Sequence, residues 1–140
     1  MSTAGYLLDT NVVSETRKRQ PNPGVLSFLT ATDASQLFLS VLTIGELRRG
    51  VRIRHRTDPV IADQLGEWVD RIESIFADRV LGLDIAAAKL WGDLSADRSL
   101  PVVDTLIAST ALTHRLTLVT RNRRDVAATG VALLDPWEIA

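Results

Sequence analysis

The run Gly5-Tyr6-Leu7-Leu8-Asp9-Thr10-Asn11 decides the fold. Three bulky residues lead directly into a carboxylate, a hydroxyl and an amide. A short buried strand that ends in a polar site reads this way. Continuous apolar character, rather than alternation, marks a parallel strand covered by helices on both faces. In open α/β sheets the working crevice lies beyond the carboxyl ends of the strands, and Asp9 stands at such an end. Two roles fit Asp9 equally: cap of the next helix, or member of a site in the crevice.

Two later stretches repeat the setting. Residues 35–39 read as a second strand, followed at once by Ser40-Val41-Leu42-Thr43-Ile44-Gly45-Glu46-Leu47. Ser40 or Thr43 can cap the helix there. Thr43 and Glu46 have capping-box spacing; the other role for Glu46 is to point into the crevice beside Asp9. A fourth strand over 116–120 ends in Arg121-Asn122-Arg123-Arg124-Asp125. Between these lie a helix over 12–18, Asn22 as a cap ahead of Pro23, and a long amphipathic helix after Asp58-Pro59. A third strand over 79–83 follows, with Asp84 as a helix cap. Pro101-Val102-Val103-Asp104 opens another helix, with Asp104 in the first turn, where the helix dipole favours an anion. A last short strand is read over 130–134. Strands alternating with helices make an α/β chain with a mainly parallel, twisted sheet of four to five strands and helices on both faces. Residues 1–140 read as a single domain.

Composition removes several function classes. The chain has no cysteine, which excludes a disulfide scaffold and thiolate zinc sites and fits a cytoplasmic location. No apolar run is long enough to span a membrane, and Asp9 interrupts the first one, against a signal peptide. With a net charge of -1, any nucleic-acid surface must come from local clustering. The dense basic cluster is Arg48, Arg49, Arg52, Arg54, His55 and Arg56. Either it is a solvated helix surface, or Arg48, Arg49 and Arg52 meet an anionic partner.

Asp9, Glu46, Asp104 and Asp125 can converge at one sheet edge. Gathered carboxylates repel one another, and their pKa values rise unless a cation enters. Oxygen ligands without His or Cys point to Mg²⁺, with Mn²⁺ as a substitute. Such ions bind phosphate oxygens and activate water, so phosphodiester hydrolysis is the natural reaction. His55 and His114 show no Ser/His/Asp arrangement, and there is no glycine-rich phosphate loop. An aspartyl-nucleophile phosphatase would prefer a second Asp where Asn11 stands. A phospho-acceptor receiver would want a Lys where Arg121 and Arg123 follow the late strand.

The motifs Leu7-Leu8-Asp9-Thr10-Asn11, Ser40-Val41 with Glu46-Leu47, Pro101 through Ala108, and Leu118-Val119-Thr120-Arg121-Asn122 with Asp125 together resemble the PIN-domain ribonucleases. Among these they are most similar to VapC toxins of toxin–antitoxin pairs and their FitB-like relatives. The resemblance spans nearly the whole chain. It implies a PIN-like fold and a Mg²⁺-dependent endoribonuclease that hydrolyses RNA. It also implies a homodimer, silenced by a cognate VapB-type antitoxin and reaching operator DNA only through it. By position, Asp9, Glu46 and Asp104 match the family's first three acids. Thr10 and Thr120, with Asn11 and Asn122 beside them, match residues that orient those acids. For the fourth acid, some members carry Asp where this chain has Asn122, and others use a later acid. Asp125 is taken here as that acid, on the ground that Asn122 cannot offset cation charge. A PIN-fold binding module that docks a partner without cutting is the alternative reading, and RNA cleavage separates the two.

Overall fold

The computed structural model describes residues 5–139, so residues 1–4 and 140 of the expected domain lie outside the described residues. Five strands form one parallel sheet: β1 (Tyr6–Leu8), β2 (Leu37–Ser40), β3 (Val80–Leu81), β4 (Thr117–Val119) and β5 (Leu133–Leu134). Their spatial order is β3-β2-β1-β4-β5. The chain thus runs outward from β1 through β2 to β3, then crosses to β4 on the other side of β1. The gap between the carboxyl ends of β1 and β4 is therefore the topological switch point.

Successive strand residues face opposite sides of the sheet, and each side has its own core. Leu8, Leu37, Leu39 and Val119 pack with α1 (Thr10–Glu15), α2 (Pro23–Ala31), α3 (Val41–His55) and α4 (Pro59–Ile75) through Val12, Val25, Phe28, Leu47 and Val69. Leu7 and Leu118 pack on the other face with α6 (Val102–Thr113) and α7 (Arg123–Val126), through Ile107, Ala108, Ala111 and Val126. The remaining helix, α5 (Ile85–Ser95), lies against α6. The continuous apolar run at the start of β1 is explained by these two cores: neither face is wet.

Boundaries depart from the sequence reading where side chains compete with the ladder. The second strand was expected from 35. Instead Ala34–Gln36 form a 3₁₀ turn capped by Asp33, whose carboxylate accepts from the Ser35 N–H at 2.9 Å. Arg79 fixes this corner by donating to the carbonyls of Leu37 at 2.8 Å and Ile75 at 2.7 Å, with its guanidinium over the Phe76 ring. The first helix begins at Thr10 rather than 12, because Asp9 caps it, and it ends at Glu15. Gly5 has φ +114°, and a Cβ there would stand 2.6 Å from the Gln36 carbonyl oxygen, so only glycine lets β1 start beside β2. No helix among the described residues is long and apolar enough to cross a membrane.

Candidate active site

Asp9 caps a helix and also lines the crevice beyond the sheet. It is the cap of α1, with Oδ1 accepting the Thr10 N–H at 2.8 Å. Its other oxygen, Oδ2, accepts the Thr120 hydroxyl at 2.8 Å, a bond across the switch point from β1 to β4. Asp9 is only 6% exposed. Burial pushes its carboxyl above the ordinary range; the bonds from Thr120 and Thr10 oppose this, and the Glu46 charge adds to it. Thr120 is held in turn, since its oxygen accepts the Asn122 N–H at 3.0 Å.

Glu46 is placed by a different pair of hydroxyls. Ser40 caps α3 by accepting the Leu42 N–H, so Thr43 is released from the capping box that its spacing suggested. Thr43 and Glu46 are three residues apart and share one helix face. That face meets Thr10, whose hydroxyl donates to Glu46 Oε1 at 2.6 Å and lies 3.0 Å from the Thr43 hydroxyl. The Thr10 proton goes to the carboxylate, which can only accept. Thr43 is fully buried and was read only as a cap; its one sequence signal was the spacing to Glu46.

Asp104 lies in the first turn of α6, whose cap residue Pro101 offers no side-chain bond. Its carboxyl is pushed up to about 6, first by burial, then by the charges of Asp9, Glu46 and Asp125. The charges of the other three acids thus all reach Asp104. Asp125 is exposed in the first turn of α7 and forms no ion pair with Arg121 or Arg124 among the described residues. Asn122 precedes α7 without a side-chain capping bond. With Asp9, Asp104 and Thr120 it lines a cavity of about 10 Å³, floored by Ile107, Leu118 and Val126. That is room for about one water.

Two expectations shift. Asn11 is exposed and makes no bond to the acids; it lines a neighbouring cleft with Ser14, Lys18, Arg121, Asn122 and Trp137. Arg48 is held by Asp70 and Glu73 of α4, so its charge closes the α3–α4 pair, while Arg49 and Arg52 stay exposed.

The donor set suits a hard divalent cation: all oxygen, mutually repelling, and anchored by buried hydroxyls. Among the described residues no three acids are drawn together as a finished ligand cage. Their repulsion opposes such closure.

A family model for the PIN domain matches residues 6–130. The plasmid stability protein StbB of Pseudomonas syringae pv. tomato is 35% identical, over 94% of this chain and 98% of its own. The VapC ribonuclease Y4jK of Sinorhizobium fredii is 33% identical, over 96% and 99%. Among solved structures, FitAcB of Neisseria gonorrhoeae superposes with a TM-score of 0.87 at 32% identity, covering 96% of this chain and 99% of that one. FitAB bound to a DNA fragment gives 0.85 at 30%, covering 96% and 97%.

Proposed function

The chain belongs to the PIN-domain family, and from that premise we propose that it is a divalent-metal-dependent endoribonuclease, the toxin of a toxin–antitoxin pair. The observation that carries this reading is the placement at the β1/β4 switch point of Asp9 and Asp104, which line one small cavity, with Glu46 tied to Thr10 beside Asp9. Relatives named VapC ribonuclease Y4jK and toxin FitB, each 33% identical, support the same class. The whole chain, 1–140, is taken as one PIN domain.

Asp9, Asp104, Glu46 and Asp125 would hold the cation. When bound, Mg²⁺ or Mn²⁺ supplies charge to grip phosphate oxygens and to acidify the attacking water. Thr120 and Thr10 keep Asp9 and Glu46 oriented at the crevice. Thr10 donates to Glu46 Oε1 and so orients the carboxylate, which would accept a proton from a nucleophilic water. The partners are an RNA substrate, a second copy of the chain, and a VapB-type antitoxin that carries the pair to operator DNA. Purified, antitoxin-free protein is expected to cut RNA with Mg²⁺ and to stop on chelation. Cleavage that survives chelator would overturn the metal-dependent reading, and absence of cleavage under all ions would favour a binding module.

A further inference from the structure

The cleft beside the acids has a chemistry that the cleavage reaction itself does not use. It encloses about 460 Å³, within the size range of small-ligand sites. Arg121 lays its guanidinium 5.2 Å from the centre of the Trp137 ring. Asn11 and Asn122 add two exposed amides, each with donors and an acceptor. The carboxylate in the cleft, Glu15, is 6% exposed and already engaged by Lys18 at 2.8 Å and the Asn22 N–H at 2.9 Å. Arg121 has no carboxylate partner among the described residues.

The aromatic wall is rigidly placed. Asp135 caps the 3₁₀ turn Pro136–Glu138 by accepting the Trp137 N–H at 2.9 Å. Arg123 ties Glu138 and Asp135 to α7. The turn docks on α2 at Gly24, where a Cβ would stand 2.2 Å from the Pro136 carbonyl oxygen. Asn122 lines both this cleft and the small cavity between Asp9 and Asp104. The cleft thus adjoins the acids through this shared residue.

We propose that this cleft is a nucleobase subsite. It takes one unpaired base flanking the cut phosphodiester against the Arg121–Trp137 pair, with Asn11 and Asn122 on the base edge. Flat aromatic and guanidinium surfaces with amide donors are the groups that single-stranded RNA uses for stacking and edge contacts. The cleft on the other side of α1 also has an aromatic ring, Trp68, with Arg17 and Lys18, but it has no side-chain amide and includes the Glu46 carboxylate, which repels a phosphate strand. The proposal rests on the ribonuclease reading for its substrate class.

The test uses full-length protein and a short single-stranded RNA, protected from cleavage by chelator, intact or with one base removed at each position in turn. Wild type is expected to lose about tenfold in affinity when one particular base is missing. Arg121→Ala and Trp137→Leu, which removes the aromatic face, are expected to shrink that penalty to under twofold, whereas Trp137→Phe should keep most of it. Wild-type tryptophan emission should be quenched by the intact strand and unquenched in Trp137→Leu. A base-removal penalty unchanged in Arg121→Ala and Trp137→Leu overturns the subsite. So do variants that bind the strand normally but release a co-expressed antitoxin, which would give the cleft to a protein. Cleavage of ordinary RNA is scored separately. A wild type that binds with the base penalty but never cuts keeps the subsite and sinks the ribonuclease reading; one that cuts regardless of which base is missing does the reverse.

Discussion

Asp9 and Asp84 perform the same local task at two strand ends. Each follows a strand, each caps a helix, and each uses one oxygen for a helix N–H at 2.8 Å. They differ in what the second oxygen meets. Asp9 sits beyond central β1, and its Oδ2 takes the buried Thr120 hydroxyl from β4. Asp84 sits beyond edge strand β3, its side chain 53% exposed, with the His114 imidazole 3.6 Å away. Capping therefore leaves the second oxygen of an aspartate available. The position of its strand in the sheet decides whether that oxygen faces the central crevice or solvent.

The largest expected effect separates the pair outright. Asp9→Asn should keep the fold and lower RNA cleavage on the order of a hundredfold or more, as loss of a group acting on the reacting charge does. Equal cleavage by Asp9→Asn and wild type would erase the distinction. Thr120→Val tests the second oxygen alone: it removes the bond to Asp9 Oδ2 and should weaken Mg²⁺ affinity by roughly tenfold or more, read by metal titration of cleavage. Asp125→Asn should cost about tenfold through charge balance, whereas Asn122→Asp should be tolerated. Asp84→Ala comes last. It should leave cleavage unchanged and lower stability by about 1 kcal/mol in chemical denaturation, the ordinary worth of a cap.

The two-sided core and the strand order of events were legible because Leu7, Leu8, Leu118 and Val119 have nowhere wet to go. Asp9 stood out as a carboxylate ending a buried run, and Asp104 by its place in the first turn of an apolar helix. Glu46 was harder, since Thr43-to-Glu46 spacing describes a capping box equally well. Only the presence of Ser40 in the cap position, and Thr10 facing Thr43, decided it. Arg48 could not be read locally, because its partners Asp70 and Glu73 lie more than twenty residues on, and α3 must first pair with α4 to bring them near. Likewise Asn11 follows the site in sequence, yet the turn of α1 carries it into the adjoining cleft. Residues fixed by strand ends were readable; those fixed by helix rotation or long-range pairing were not.

The central claim is that mutual repulsion among these acids is relieved by a cation. Asp104 titrates at about 6 when folded, against an ordinary value of 3.8. Between those values the folded chain holds more protons than the unfolded one, so this group's contribution to stability falls as pH rises toward 6 and stays low above it. The direct measurement is the melting temperature at pH 7.5 with and without Mg²⁺, for wild type, Asp104→Asn and Asp84→Asn. Wild type and Asp84→Asn should rise with Mg²⁺, as binding to the folded state requires. Asp104→Asn should start above wild type without metal and gain little from it. A Mg²⁺ shift of equal size in all three, or an Asp104→Asn variant that melts below wild type without metal, would contradict the account.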